Sequence, residues 1–252
     1  MRLCTVWVCT GMVALITMGT VQADNTDTWD WNGFYVGLHA GYGFGNQSAS
    51  IGGTPGIKEA IELGSVPRKL DTDPDGFLGG IQIGANRQLD NLVIGLEADA
   101  SLSSISGSDS ATLAPLGSSF TTRAEQDLDW FGTARLRVGI VFGRFLVYGT
   151  GGLALGRSDL SLRLVYADGP VTLLRGSEKE TSAGWTVGAG VEYALTETVS
   201  LKGEYLYYDL GSEKITASDV TDPDSWFILD DTATAKFDIN GNIVRAGVNV
   251  RF

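Results

Sequence analysis

Residues 34–44 read Phe34-Tyr35-Val36-Gly37-Leu38-His39-Ala40-Gly41-Tyr42-Gly43-Phe44. Phe34, Val36, Leu38, Ala40, Tyr42 and Phe44 are apolar, whereas Tyr35, Gly37, His39, Gly41 and Gly43 between them are small or polar. Successive side chains of a strand point to opposite faces, so this alternation predicts a β-strand with one apolar face and one small or polar face. The same pattern returns at residues 81–86, 92–101, 130–142, 145–155, 185–195, 199–207 and 244–252, giving eight strands.

The connections between these runs alternate in length. Leu89 to Asn91, Gly143-Arg144 and Thr196 to Thr198 are tight turns, while residues 46–75, 103–126, 157–182 and 212–240 are long. A soluble sandwich has no reason to segregate its connections in this way. An up-and-down membrane barrel does, with short periplasmic turns and long external loops. The predicted fold class is therefore all-β: an eight-stranded antiparallel up-and-down transmembrane β-barrel with short periplasmic turns, four long extracellular loops and both termini periplasmic.

A soluble eight-stranded barrel would show the same alternation but would turn its apolar face inward. Aromatic placement separates the two. Phe34, Phe142, Phe145, Tyr193 and Phe252 fall at the short-turn ends of the apolar face, and Tyr42, Phe44, Phe77, Trp130, Trp185, Tyr205 and Tyr207 at its long-loop ends. Two aromatic girdles bracketing an aliphatic band are the signature of a bilayer-spanning wall.

Composition agrees. The 252 residues include 34 Gly, are 43% hydrophobic and 19% charged, and carry a net charge of −12. A disordered tail would be less apolar and more charged, and the glycines follow no Gly-X-Y period, which excludes collagen. The acidic balance without a basic block argues against a nucleic-acid partner.

The N-terminus reads as a targeting segment. Met1 and Arg2 precede an apolar or small run from Leu3 to Val21, and Val21-Gln22-Ala23 places small residues for cleavage between Ala23 and Asp24. The expected organisation is a cleaved signal peptide at 1–23, a short periplasmic segment at 24–31 and an outer-membrane barrel domain at 32–252. Cys4 and Cys9 both lie in the signal, so the exported chain has neither a disulfide nor a thiolate metal site.

On the polar face the strands carry Glu97, Asp99, Arg135, Arg137, Glu192, Lys202, Glu204, Arg245 and Arg251. Eight strands enclose a space that side chains can fill. Unpaired charges shut away from water are strongly disfavoured, so these nine are expected to pair into a lumen charge network that plugs the barrel.

Three other patterns imitate functional sites. Gly149-Thr150-Gly151-Gly152-Leu153-Ala154 has dinucleotide-fingerprint spacing, but the alternation continues after it and no helix follows. Asp71-Thr72-Asp73-Pro74-Asp75-Gly76 copies half a calcium loop, yet Gln82 stands where the bidentate Glu belongs. His39, the only histidine, points into the lumen, where neither a multi-histidine metal site nor a lipid-facing hydrolase can be built on it. No catalytic, cofactor-binding or metal site is expected, and no enzyme. Leu160, Leu162, Leu164 and Tyr166 alternate up to Asp168-Gly169, which predicts an external hairpin extending strands five and six.

Trp31-Asn32-Gly33-Phe34-Tyr35-Val36-Gly37 and the closing Val244-Arg245-Ala246-Gly247-Val248-Asn249-Val250-Arg251-Phe252 resemble the small outer-membrane β-barrel family of alphaproteobacterial surface antigens, opacity-type porins and hemin-binding proteins. The resemblance spans roughly residues 29 to 252. It implies a location in the Gram-negative outer membrane, among lipid and lipopolysaccharide, with Phe252 as the terminal aromatic read by the barrel-assembly machinery. The functional expectation is a structural and surface-interaction protein that supports envelope integrity and offers its loops to an external protein or small ligand. A narrow passive pore is the alternative, favoured by the family's porin label and by lumen-facing Gly37, Gly41, Gly84, Gly188 and Gly190. Hemin binding by the loops, implied by the resemblance alone, is a third.

Overall fold

The computed structural model describes residues 29–114, 117–166, 171–219 and 231–252. The signal segment with Ala23 and Asp24, and the Asp168-Gly169 hairpin tip, lie outside the described residues. Eight strands form the wall: β1 (Gly33–Phe44), β4 (Asp75–Leu89), β5 (Leu92–Leu113), β6 (Phe120–Phe142), β7 (Phe145–Tyr166), β8 (Val171–Ala194), β9 (Val199–Asp219) and β10 (Ala233–Arg251). Each pairs antiparallel with the next, and β1 pairs with β10 from Tyr35↔Arg251 to Phe44↔Asn242, which closes the ring. Closure leaves the membrane wall without an edge, so every backbone group there finds a partner. Between β1 and β4 lie two short strands, β2 (Ser48–Gly53) and β3 (Lys69–Asp71), and one helix, α1 (Pro55–Glu62). β2 adds to the long-loop end of β10, and β3 to β2.

The tight turns fall where the sequence places them. Asp90 and Gly143 adopt left-handed backbone angles (φ 54° and 58°), the conformation that two-residue hairpin turns require. Leu38, Leu96 and Leu153 are each more than 60% exposed on the outer wall. Aromatic pairs mark both rims of this band: Phe145 and Tyr193 at one end (4.7 Å between ring centroids), Tyr42 and Phe77 (5.1 Å) and Trp185 and Tyr207 (5.4 Å) at the other. An apolar surface of this extent needs lipid to cover it.

The long connections differ from expectation. Most of residues 103–126, 157–182 and 212–240 is not loop but strand, because β5 to β10 continue well past the aromatic rim as a projecting β-extension. The reason is an inversion of the two faces. On β7, outward Phe145, Val147, Leu153 and Leu155 give way to outward Arg157, Asp159, Ser161 and Arg163, while inward Tyr148 and Thr150 give way to buried Leu160, Leu162 and Leu164. One strand is thus apolar-out against lipid and apolar-in against water. On β6 a bulge between Leu128 and Trp130 shifts the alternation by one, so Leu128, Gln126, Ala124 and Thr122 take the inward positions. The extension has its own core, including Ile51, Leu70, Leu160, Leu174, Ile215 and Phe237. Pro55 opens α1 at a position where its missing N–H costs nothing, and Ile57 enters that core as its cover.

Candidate functional site: the barrel interior

Cross-strand register assembles the interior. Glu97 faces Arg135 across β5 and β6, Arg245 faces Glu204 across β10 and β9, and Glu192 faces Lys202 across β8 and β9. Arg135 reaches Glu97 at 2.5 Å, Asp99 at 2.9 Å and Glu204 at 3.0 Å. Arg245 joins Glu204 at 2.6 Å and Asp99 at 3.0 Å. Lys202 bridges Glu97 at 2.7 Å, and Arg137 holds Glu192 at 2.7 Å. Eight of the nine sequence-predicted charges therefore meet in one buried cluster of four carboxylates and four cations. Its charges balance, which limits the penalty of shutting ions away from water.

Arg251 is not among them. It is the last residue of β10, donates to the carbonyl oxygens of Asp30 and Glu197, and stacks over the Trp29 ring at 4.6 Å. Its place at the strand end puts it below the lumen charges, where it ties the segment before β1 to the short-turn rim. Phe252 at the same rim is 78% exposed on the apolar face, and its N–H donates to the Phe34 carbonyl at 2.9 Å.

Neutral side chains complete the cluster, and charge alone gave no signal for them. Tyr35 donates to Glu97 at 2.7 Å and Tyr148 to Glu204 at 2.9 Å. The Arg137 guanidinium lies 4.0 Å from the Tyr148 ring centre, a cation–π stack. Asn249 and Ser200 donate to Glu192 at 2.7 and 2.5 Å, and Thr133 donates to Asp99 at 2.5 Å. His39 contacts the Ser101 hydroxyl through Nε2 at 2.7 Å. Their sequence signal was position on the inward face, where Tyr35 and Tyr148 interrupt a row of small residues.

Apolar layers lie on both sides of this cluster. Toward the short turns, Trp31, Val93, Val141, Leu146 and Ala194 pack together, and Trp31 is only 2% exposed although it precedes β1. Toward the extension, Leu78, Ile105, Leu128, Phe131, Leu206 and Ile243 form a second layer, followed by the core under α1. The lumen glycines are not open space. A Cβ at Gly84 would strike the Tyr35 ring, at Gly190 the Tyr148 hydroxyl, at Gly188 the Leu206 side chain, at Gly41 Arg245 and at Gly37 Asn249. The glycines thus make room for the large side chains that fill the barrel.

Among the described residues no group of three or more His, Cys, Asp or Glu is arranged to hold a metal ion. Asp71 lies in β3 and Asp75 opens β4, so the calcium-like spacing runs into a strand.

Comparison with known proteins accords with this architecture. Residues 12–252 match the family model described as outer membrane protein beta-barrel domain. The chain is 40% identical over 228 residues to the 31 kDa outer-membrane immunogenic protein of Brucella melitensis biotype 1, covering 90% of this chain and 85% of that protein. It is 31% identical over 183 residues to a 22 kDa outer membrane protein of Rhizobium leguminosarum bv. viciae, covering 73% of this chain and 66% of the relative. Among solved structures, the outer membrane protein OprG of Pseudomonas aeruginosa shares the fold with a TM-score of 0.53 at 13% identity, over 88% of this chain and 96% of that one. The chain belongs to the outer-membrane β-barrel protein family, alongside the alphaproteobacterial outer-membrane immunogenic proteins.

Proposed function

We propose that this protein is a sealed outer-membrane anchor that holds a rigid β-extension at the cell exterior, supports envelope integrity and presents the extension as a contact surface. The observation that carries this reading is the filled interior: a charge-balanced ion-pair cluster with an apolar layer above and below it. In this reading the short turns and both termini face the periplasm, in keeping with the usual arrangement of bacterial barrels. Cleavage between Ala23 and Asp24 leaves a short periplasmic segment that leads to the buried Trp31. Phe252 is the terminal aromatic offered to the barrel-assembly machinery, and the surrounding partners are membrane lipid and lipopolysaccharide. The eight buried charges act as the plug.

No catalysis is assigned. The His39–Ser101 contact is buried between the apolar layers, where substrate has no route to it. Of the two grounds for a narrow pore, the family's porin label and the lumen glycines, the glycines lend no support, because neighbouring side chains take up the space they leave. Hemin capture by the loops has no supporting geometry among the described residues.

Liposome swelling tests the sealed reading. Proteoliposomes in a small sugar should stay as tight as protein-free vesicles, and swelling that scales with protein would contradict it. The orientation is tested separately on intact cells. The chain has no cysteine beyond Cys4 and Cys9, so Ser177→Cys on the extension should react with an impermeant maleimide while Thr196→Cys at a short turn should not. The opposite labelling would invert the assignment.

A further inference from the structure

Three arginines stand side by side on the outer face of the extension. The register pairs Arg123 of β6 with Arg163 of β7, and Arg163 with Arg175 of β8. Ser110 of β5 and Ser218 of β9 continue the same row at either end. All five residues are exposed. Directly opposed side chains on neighbouring strands stand about 5 Å apart, and like charges so placed repel. The chain does little to relieve this. Arg123 pairs with Glu125 at 2.7 Å, but Arg163 and Arg175 have no ion-pair partner among the described residues. In a chain with 30 acids against 18 bases, leaving such a row unrelieved is unexpected.

The neighbouring rows are rich in hydroxyls. Ser177 lies one outward position below Arg175 and Thr172 in the row above, both with hydroxyls free among the described residues, whereas Ser161 below Arg163 donates to Glu125 at 3.1 Å and Thr121 above Arg123 bonds Thr112 at 2.9 Å. Planar guanidinium forks beside hydroxyl donors are suited to bidentate capture of phosphate or carboxylate groups spaced along a chain.

The direction and height of the row select the source. The row belongs to the same outer surface as lipid-facing Leu153 and Leu155, so it points sideways into whatever layer surrounds the barrel. At about 3.3 Å per residue and a tilt of about 40°, Arg163 stands on the order of 20 Å beyond Leu155. The headgroup region adds only roughly 5 to 8 Å to each side of the hydrocarbon. The row therefore clears the lipid phosphates and meets the sugars that they carry.

We infer that Arg123, Arg163 and Arg175 form a binding row for the anionic core oligosaccharide of lipopolysaccharide, through its phosphate and carboxylate groups. This deepens the proposed function, since it rests on the extension facing the exterior. The binding itself is measured on purified protein and does not depend on the lumen being sealed.

The probe is the phosphorylated core oligosaccharide, released from lipopolysaccharide by mild acid and titrated into the full-length refolded protein in detergent at low salt. The native protein should bind it, and added salt should weaken the binding. The variant Arg123→Gln/Arg163→Gln/Arg175→Gln should lose at least about tenfold in affinity, and Arg144→Gln at a short turn should lose nothing. Enzymatically dephosphorylated oligosaccharide should bind more weakly to the native protein. The heat-dependent gel shift of the variant should persist, because exposed outward residues do not hold the barrel together. Should the triple variant misfold, Arg163→Gln/Arg175→Gln carries the same test. Undetectable binding to the native protein, or equal binding by native and variant, overturns the proposal. Binding of dextran sulfate but not of the core oligosaccharide also overturns it, and would assign the row to a sulfated chain arriving from outside.

Discussion

Glu97 on β5 and Arg135 on β6 stand directly opposite one another in register and meet at 2.5 Å with both side chains almost fully buried. The same Arg135 holds Asp99 and Glu204, and the same Glu97 holds Lys202, so removing any one member leaves the cluster of four carboxylates and four cations with an unbalanced buried charge. Removing one partner of a buried pair costs about 3 to 5 kcal/mol, mostly because an uncompensated charge remains. Arg135→Met should therefore destabilise the folded barrel by about that amount, and Glu97→Met with Arg135→Met by less than the sum of the single changes. Urea unfolding in lipid vesicles, read by the faster gel migration of folded than of boiled protein, measures both. A strictly additive double variant would show that the pair is not coupled.

The outer wall predicts a depth-dependent response. Val248 faces lipid, so Val248→Arg should cost about 2 to 4 kcal/mol near the midplane. Thr216→Arg, exposed on the extension, should change stability by no more than about 0.5 kcal/mol. Asn249 is no mild comparator, although its face is polar. It is 1% exposed and holds Glu192 and Gln82, so Asn249→Arg should also be severe. Folding yield into vesicles ranks the three, and equal yields for the Val248 and Thr216 variants would refute the facing assignment.

Much of this wall is legible in the residues themselves. The run from Phe34 to Phe44, the turns at Asp90 and Gly143 and the two aromatic rims are each visible without coordinates, because a lipid-facing strand declares itself by period-two apolarity. The extension is less legible. Its strands keep the same period but exchange their faces at the rim, as Leu155 gives way outward to Arg157 while Leu160 takes the inside. A reading that expects one apolar face per strand stops at that exchange. On β6 the bulge at Leu128 and Trp130 breaks the count as well. Inside the barrel, charge identified eight members of the cluster but not Tyr35 or Tyr148, whose hydroxyls serve it. It also enrolled Arg251, whose position at the strand end takes it to the rim.

The packing of the interior predicts a cavity response. Phe131 is fully buried in the layer next to the extension and packs against the Tyr208 ring at 4.9 Å. Phe131→Ala should cost about 3 to 5 kcal/mol. Hydrogen exchange of β6 amides should show that loss, and unchanged protection would place Phe131 outside the core.

Beyond the rim, acidity should strengthen the extension. Burial raises the Asp127 carboxyl above its ordinary value of 3.8, with Asp159, Glu125 and Asp129 adding to the shift. A carboxyl whose folded value is raised binds its proton more tightly when folded, so stability increases as the pH falls through that raised value towards 3.8. Asp127→Asn should remove this dependence and stabilise the extension at neutral pH. Proteolysis rates between pH 4 and pH 7 report it, and a variant with the parent's pH profile would contradict the assignment.

A closed interior is the property on which the proposed function rests. Single-channel recording of the purified full-length chain in a planar bilayer at neutral pH, with folding verified on the same sample by gel shift, tests it most directly. The ion-pair cluster between two apolar layers predicts a silent membrane. Reproducible current steps whose size changes in Glu97→Gln or Arg135→Gln would contradict it, because ions would then be passing the side chains that are held to seal the barrel.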